Sequence, residues 1–191
     1  MKKHSLFRLV VVLAAGLVVA SLWAGPGVEL SADMKSTDAA GKVTTGKIYI
    51  KPDKIRQEIV VDGDTTVVIL RMDKKISWTL LPGNQYMEMA LQFDPSRPGS
   101  DPSVQYTTKT IGTETVAGYV CTVTEYSYKD KKLGVTVQWM ADKIGFPVKT
   151  VSKNASGKVM STIEYSNIKP GNQPDSLFEI PKGYQKFGFS F

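Results

Sequence analysis

From residue 28 onward the chain alternates apolar and polar side chains with a period of two, segment after segment. Residues two apart point to the same side of an extended strand, so this period predicts half-buried strands and argues against helices. The segments are VELSADMKST, KVTTGKIYIK, KIRQEIVV, TTVVILRM, KISWTLL, YMEMAL, YTTKTIGTETV, YVCTVTEYSY, LGVTVQWMA, PVKTVS and KVMSTIEYSNI. Each is short, rich in Val, Ile, Thr and Tyr, and bounded by turn residues. The Asp-Gly pair in VVDGDTTVV is a strong hairpin signal. LPGNQY, YKDKKLG and SKNASGKV supply Gly, Asn and charges for further turns. About eleven strands with such short connections predict an all-β antiparallel meander with few short helices. PDSLFEIP (174–181) has room for one helical turn, and MADKIGFP (140–147) for a bend. QFDPSRPGSDPSVQ (92–105) has three prolines and no apolar period, which predicts a loop.

So many antiparallel strands make a broad, twisted sheet that must close, fold on itself or be covered. The alternation suggests one apolar face. It would carry Ile48, Ile50, Ile55, Ile59, Val61, Val67, Ile69, Ile76, Trp78, Leu80, Met87, Met89, Leu91, Val135, Val137 and Trp139. Lys47, Arg56, Glu58, Ser77, Thr79, Glu88, Thr136 and Gln138 would face the other way. No amphipathic helix of useful length is available to cover the apolar side. A curved sheet would therefore enclose a hydrophobic concavity, either packed by the protein itself or open to a ligand. The candidate ligand-binding residues are Ile48, Ile50, Ile69, Trp78, Leu80, Met87, Met89, Leu91, Val137 and Trp139. Methionines fill gaps in cores, but they also serve surfaces that must fit many shapes, and tryptophans commonly anchor cores.

The first segment belongs to another class. MKKHSLFR carries Lys2, Lys3 and Arg8 without an acid, and 16 mainly apolar residues follow, from Leu9 to Ala24. That run is shorter than the roughly 20 residues of a membrane-spanning helix and has the layout of a secretory leader. Cleavage is expected after Ala24, with Ala20 as the second choice and an uncleaved anchor as the alternative. The expected organisation is a signal peptide over 1–24 and a single β domain over 25–191, located in the periplasm. No permanent membrane span would survive cleavage.

Removing the leader leaves 21 Lys+Arg against 18 Asp+Glu, a net charge of +3 over 167 residues. That mild charge allows weak attraction to anionic lipid surfaces. No dense basic stripe with interleaved aromatics is present, so nucleic acid is not an expected partner. The lone histidine, His4, departs with the leader, which excludes His-dependent triads and leaves zinc without its usual ligands. The one cysteine, Cys121, cannot form an internal disulfide and sits where a small buried apolar residue would serve.

Three short motifs fail on context. GKVTTGKI (41–48) has Ile48 where a phosphate-binding loop needs Ser or Thr, and a strand follows where a helix is required. SNIK (166–169) straddles a strand end, whereas a Ser-x-x-Lys nucleophile needs a helical turn to bring Lys beside Ser. DGD (62–64) reads as a hairpin turn rather than a cation site. No carboxylate pair stands out for acid–base work, so no enzyme and no cofactor are expected.

The blocks TGKIYIKPDKIRQEI, VVILRMDKKISWTLLPGNQYMEM, IGTETVAGYVCTVTEY, VTVQWMADKIGFPVKT and IKPGNQPDSLFEIPKGYQKF, placed after a leader, have a further implication. Over nearly all of residues 28–187 the chain resembles an exported bacterial family of unknown function. That family lies in the LolA/LolB-like superfamily of outer-membrane lipoprotein-sorting proteins, which also includes the RseB-type envelope-stress sensors. The resemblance implies a LolA-like unclosed β-barrel with an apolar concave side. In the carriers that side accepts lipoprotein acyl chains beneath lid helices. The chain departs from the carriers at two places. GPGVELSADM runs almost directly into a strand, where carriers begin with an amphipathic helix. The proline-rich loop 92–105 stands where carriers have lid helices. Two partners follow as expectations: a lipid or acylated ligand on the apolar face, or another envelope protein docked on that face or on a sheet edge.

Overall fold

A computed structural model describes residues 29–61, 63–92 and 104–187. The expected leader and most of the proline-rich loop lie outside these residues. Strands β1 (Leu30–Asp38), β2 (Val43–Lys51), β3 (Lys54–Val61), β4 (Asp64–Arg71), β5 (Ile76–Leu81) and β6 (Gln85–Ala90) form one antiparallel meander. Strands β7 (Tyr106–Val116), β8 (Tyr119–Tyr128), β9 (Val135–Ala141), β10 (Phe146–Lys153) and β11 (Val159–Pro170) form a second. β1 pairs with β11, from Leu30 opposite Pro170 to Asp38 opposite Ser161, and this fuses the two meanders into one sheet. A two-residue strand, β12 (Gln185–Lys186), lies parallel to β6 and brings the sheet to twelve strands. β7 forms one edge and β6 with β12 the other, so the barrel is not closed. β6 and β7 follow each other in the chain but lie toward opposite edges of the sheet.

Paired residues on antiparallel strands share a face, so the uninterrupted register from β1 to β6 assigns the side chains of those strands. One row runs Met87, Thr79, Val68, Gln57, Ile48, Ala32 from β6 to β1. Its neighbour runs Met89, Ser77, Leu70, Ile55, Ile50, Leu30. Both rows lie on what we call the first face. Beyond β1 this face continues through Ile163 and Tyr165 on β11, and then Thr150 and Gln138. The larger core cluster is built on it: Leu30, Ile50, Val148, Ile163 and Tyr165 are all buried there.

The second face was expected to be polar, and on β4 and β5 it is not. Val67, Ile69, Trp78 and Leu80 are buried on it around Phe178, with Leu177, Ile180 and Tyr184 packed at the margin. The covering element is the C-terminal segment after β11. Its 3-10 turn, Asp175–Phe178, falls within the expected PDSLFEIP turn. Conversely, Ser77 and Thr79, expected at the surface, are buried on the first face, as are Thr136 and Gln138 further along it. β5 is thus enclosed on both sides, and period-two patterning cannot say which side of such a strand is the wet one.

Candidate functional site

The two rows of the first face are graded. At β1 the side chains are fully enclosed, Leu30 being 0% exposed; at β6 they open to solvent, with Met89 at 38% and Met87 half-buried. Leu91, just past β6, packs against the same core cluster, and its amide donates to the Lys75 carbonyl at 2.9 Å. The rows are aliphatic and sulfur-rich with three polar interruptions, Ser77, Thr79 and Gln57. Gln57 spends its amide on the core itself, Nε2 donating to the Met34 sulfur at 3.1 Å. Beyond the central strands the same face turns aromatic and polar. Tyr126 donates to Gln138 at 3.3 Å, and Tyr128 shares a 3.4 Å hydrogen bond with Thr136. Tyr106 stacks edge-on against both tyrosines. Burial pushes the Tyr126 and Tyr128 phenols above their ordinary range, so they remain neutral donors.

The ten residues expected to line one concavity therefore do not share one face. Ile48, Ile50, Met87, Met89 and Leu91 lie on the first face. Ile69, Trp78 and Leu80 lie on the second, beneath the C-terminal segment. Val137 and Trp139 are out of step with Gln138, the residue that lines up with Thr150 and Ile163 on the first face, yet Trp139 packs against the larger core cluster beside a register shift in β10. Trp139 is occupied locally: its Nε1 donates to Glu114 at 2.6 Å and Lys149 sits 4.8 Å above its ring. Trp78 is likewise committed, with Nε1 donating to Glu88 at 2.9 Å and Arg71 and Lys74 over its ring at 5.6 and 5.3 Å.

Sequence reasoning missed the fixture that holds the C-terminal segment down. Asp175 accepts from Lys51 and Lys54 at 3.0 and 3.1 Å. Arg71, only 4% exposed on its side chain, forks onto Asp73 at 2.8 and 2.7 Å, donates to the Phe178 carbonyl at 3.1 Å and pairs with Glu179. Arg56 donates to the Leu177 carbonyl at 3.1 Å, and Lys186 pairs with Glu88 at 2.6 Å. The lysines hold the Asp175 carboxyl below its usual range, Arg71 does so for Asp73, and Lys186 with Trp78 for Glu88. These partners are spread from residue 51 to 186, so no local motif announces them.

The described residues offer little reactive chemistry. Among them no group of three His, Cys, Asp or Glu side chains could hold a metal ion. Cys121 is buried, donates to the Tyr119 carbonyl at 3.3 Å, and has its thiol pushed up by burial, away from the reactive thiolate. Gly46 and Lys47 lie inside β2, and Ser166 and Lys169 inside β11, so neither rejected motif gains the helix it would need. No helix among the described residues is long and apolar enough to cross a membrane.

Two solved structures support the architecture. An uncharacterized conserved protein from Thermus thermophilus superposes with a TM-score of 0.64 at 14% identity, covering 91% of this chain and 98% of that one. MucB, in the Pseudomonas aeruginosa MucA/MucB complex, superposes at 0.58 with 17% identity, covering 86% of this chain but 60% of that one. A LolA superfamily protein from Nitrosomonas europaea also matches, at 0.37 and 10% identity, over 87% of this chain and 97% of that one. No curated protein matches the chain. The family comparison is decisive: one family description fits residues 30–144 and again 135–184, from the first strand to the segment that covers the second face. The chain belongs to the family described as domain of unknown function DUF4412.

Proposed function

We propose that this protein is a non-enzymatic component of the cell envelope that holds a hydrophobic, lipid-like ligand on the first face of its sheet. Residues 1–24 act as the cleaved leader, and 25–191 work in the periplasm as one LolA-like β domain. The observation that carries this reading is the gradient along the two rows. They start at half-buried Met87 and exposed Met89, both pliable, beside Leu91, and run without a charge to the enclosed Ile48, Ile50 and Leu30. Unbranched thioether side chains accommodate guests of varied shape. Apolar burial contributes about 25 cal/mol per Å², so a fourteen-carbon chain at about 0.8 kcal/mol per CH₂ gains on the order of 10 kcal/mol before entropic costs. The tyrosine-lined continuation of the face offers neutral hydroxyls to a polar head. Acyl chains of lipoproteins fit this description, and so do free lipids.

The test is solvent extraction and mass spectrometry of protein purified gently from a periplasm, alongside a Met89→Asp variant. Met89 is partly exposed, so the variant is expected to fold with stability within about 0.5 kcal/mol of the parent and to lose the lipid. A lipid-free parent, or a folded variant that keeps its lipid, would overturn the reading.

A second reading has its own support. β7 is an eleven-residue edge strand exposed along nearly its whole length, and such an edge can accept a partner strand. MucB, which shares the fold, is solved in complex with MucA. Capture of an envelope partner that protects β7 amides from exchange would favour this reading over lipid carriage.

A further inference from the structure

Two hairpin loops stand side by side at one end of the second meander. Lys153, at the end of β10, pairs with Val135 at the start of β9 and with Val159 at the start of β11. The β8–β9 connection (129–134) and the β10–β11 connection (154–158) are therefore neighbours. Between them lies a cavity of about 470 Å³ whose lining includes Lys131, Lys153, Asn154, Glu125 and Tyr128. On the other side of the first loop a second cavity, about 320 Å³, is bordered by Gln105, Lys129 and Leu133.

The chemistry of this rim is one-sided. Five lysines gather on it: Lys129, Lys131, Lys132, Lys153 and Lys158. Two acids share the rim, Asp130 and Glu125, the latter in the lining of the larger cavity, so lysine is in excess by five to two. Asp130 accepts from the Lys132 amide at 3.0 Å, and Glu125 accepts from Ser127 at 3.4 Å. Lys129 donates to Gln105 at 3.0 Å, whereas Lys131, Lys132, Lys153 and Lys158 have no ion-pair partner among the described residues. Three large apolar side chains stand exposed beside them: Leu133 at 51%, Val159 at 43% and Met160 at 43%. Nothing in the core needs a leucine left in water at the tip of a lysine-rich loop.

We infer that this rim docks the protein on a membrane surface carrying anionic phospholipid. The lysines meet the lipid phosphates, the cavity between the loops receives a headgroup between Lys131 and Lys153, and Leu133 with Met160 enters the interfacial region. Basic groups beside exposed aliphatic ones are the combination such a surface selects: the charges supply long-range attraction and the apolar groups shallow insertion. A free phosphate would use the lysines alone and leave Leu133 unexplained. The rim shares Tyr128 with the tyrosine-lined end of the ligand face, but no residue with the Met87–Met89–Leu91 edge that carries the ligand reading.

The experiment is co-sedimentation of the protein recovered from periplasm, its N-terminus checked by mass, with two kinds of vesicle. One is phosphatidylglycerol mixed with phosphatidylcholine and the other is phosphatidylcholine alone. Binding is expected only to the first, and it weakens as salt is raised. Lys131→Gln/Lys132→Gln, both at exposed positions, should weaken it about fivefold for each lysine removed. Leu133→Ser should weaken it several-fold while leaving its salt dependence in place. Met89→Asp should bind as the parent does, which separates failure of this inference from failure of the ligand reading. Equal binding to both vesicles, or no loss in the folded lysine variant, would overturn the proposal. So would calorimetric binding of glycerol phosphate as tight as vesicle binding, which would reassign the rim as a small-anion pocket.

Discussion

Arg71 shows how much a single side chain can decide here. It is buried, charged and satisfied by three groups, two of which belong to residues more than a hundred positions away. Replacing it with Met would leave Asp73, Glu179 and the Phe178 carbonyl without their donor. Because both carboxylates keep partial access to water, we expect a loss of about 2–3 kcal/mol rather than the full penalty for breaking a buried pair. Phe178→Ala removes the enclosed ring over the second face and should cost about 3–5 kcal/mol. Urea titration of both variants measures the two losses. Neither role was legible in the sequence: Arg71 reads as a cation ending a strand, and Phe178 as one apolar residue in a short turn. Cys121 was legible, since a small residue in an alternating strand with no basic neighbour points to burial. Its thiol should resist alkylation in the folded protein and react once the protein unfolds.

The C-terminal segment from Pro174 to Phe187 is the element whose behaviour depends most on pH. Its anchoring carboxylates, Asp175 and Glu88, together with the neighbouring Asp73, all have pKa values depressed by cationic partners. A carboxylate depressed in the folded state contributes stability above its unfolded value, near 4, and loses that contribution as pH falls through its folded value. The segment should therefore hold firmly at neutral pH, loosen as pH falls below about 4, and loosen again only far on the alkaline side, where Lys51 and Lys186, both held above their ordinary range by Asp175 and Glu88, finally lose their protons. Trp78 lies beneath it, so a Trp139→Phe variant of the processed protein would report release as a red shift of Trp78 emission. An unchanged spectrum down to about pH 1, below both the folded and the unfolded carboxylate range, would show that apolar packing alone retains the segment. The turn itself was visible in PDSLFEIP. Its landing place was not, because the strands beneath already alternate, and alternation is equally compatible with a face covered by the chain's own tail and one left to water.

At the scale of the whole molecule, the sequence revealed strand number and turn chemistry almost completely, since both are local. It could not reveal that β1 and β11 meet, a contact between the two ends of the chain, nor that both faces of β4 and β5 are apolar and covered. The single-face reading failed for that reason, and with it the grouping of Trp78 with Met87 and Met89. The fused topology makes a prediction of its own. The β1–β6 meander and the β7–β11 meander share one core, in which Leu30, Ala32 and Met34 pack with Val148, Ile163 and Tyr165. Neither meander can open without exposing that core, so the protein should unfold in one step. Trp78 lies in the first meander and Trp139 in the second, and two single-tryptophan variants of the processed protein, Trp139→Phe and Trp78→Phe, report on each separately. Their urea transitions, each compared with circular dichroism of the same variant, should coincide with it. If the Trp139 signal were lost before the strand signal, β7–β11 would be a separate unit. Lys35→Pro sharpens the test. Lys35 sits mid-strand in β1, opposite Thr45 on one side and Glu164 on the other, where proline removes a ladder hydrogen bond and is not tolerated in a central strand. In a fused sheet it lowers the midpoint seen by both tryptophans together, and a shift confined to Trp78 would show that the β1–β11 ladder does not carry the fold.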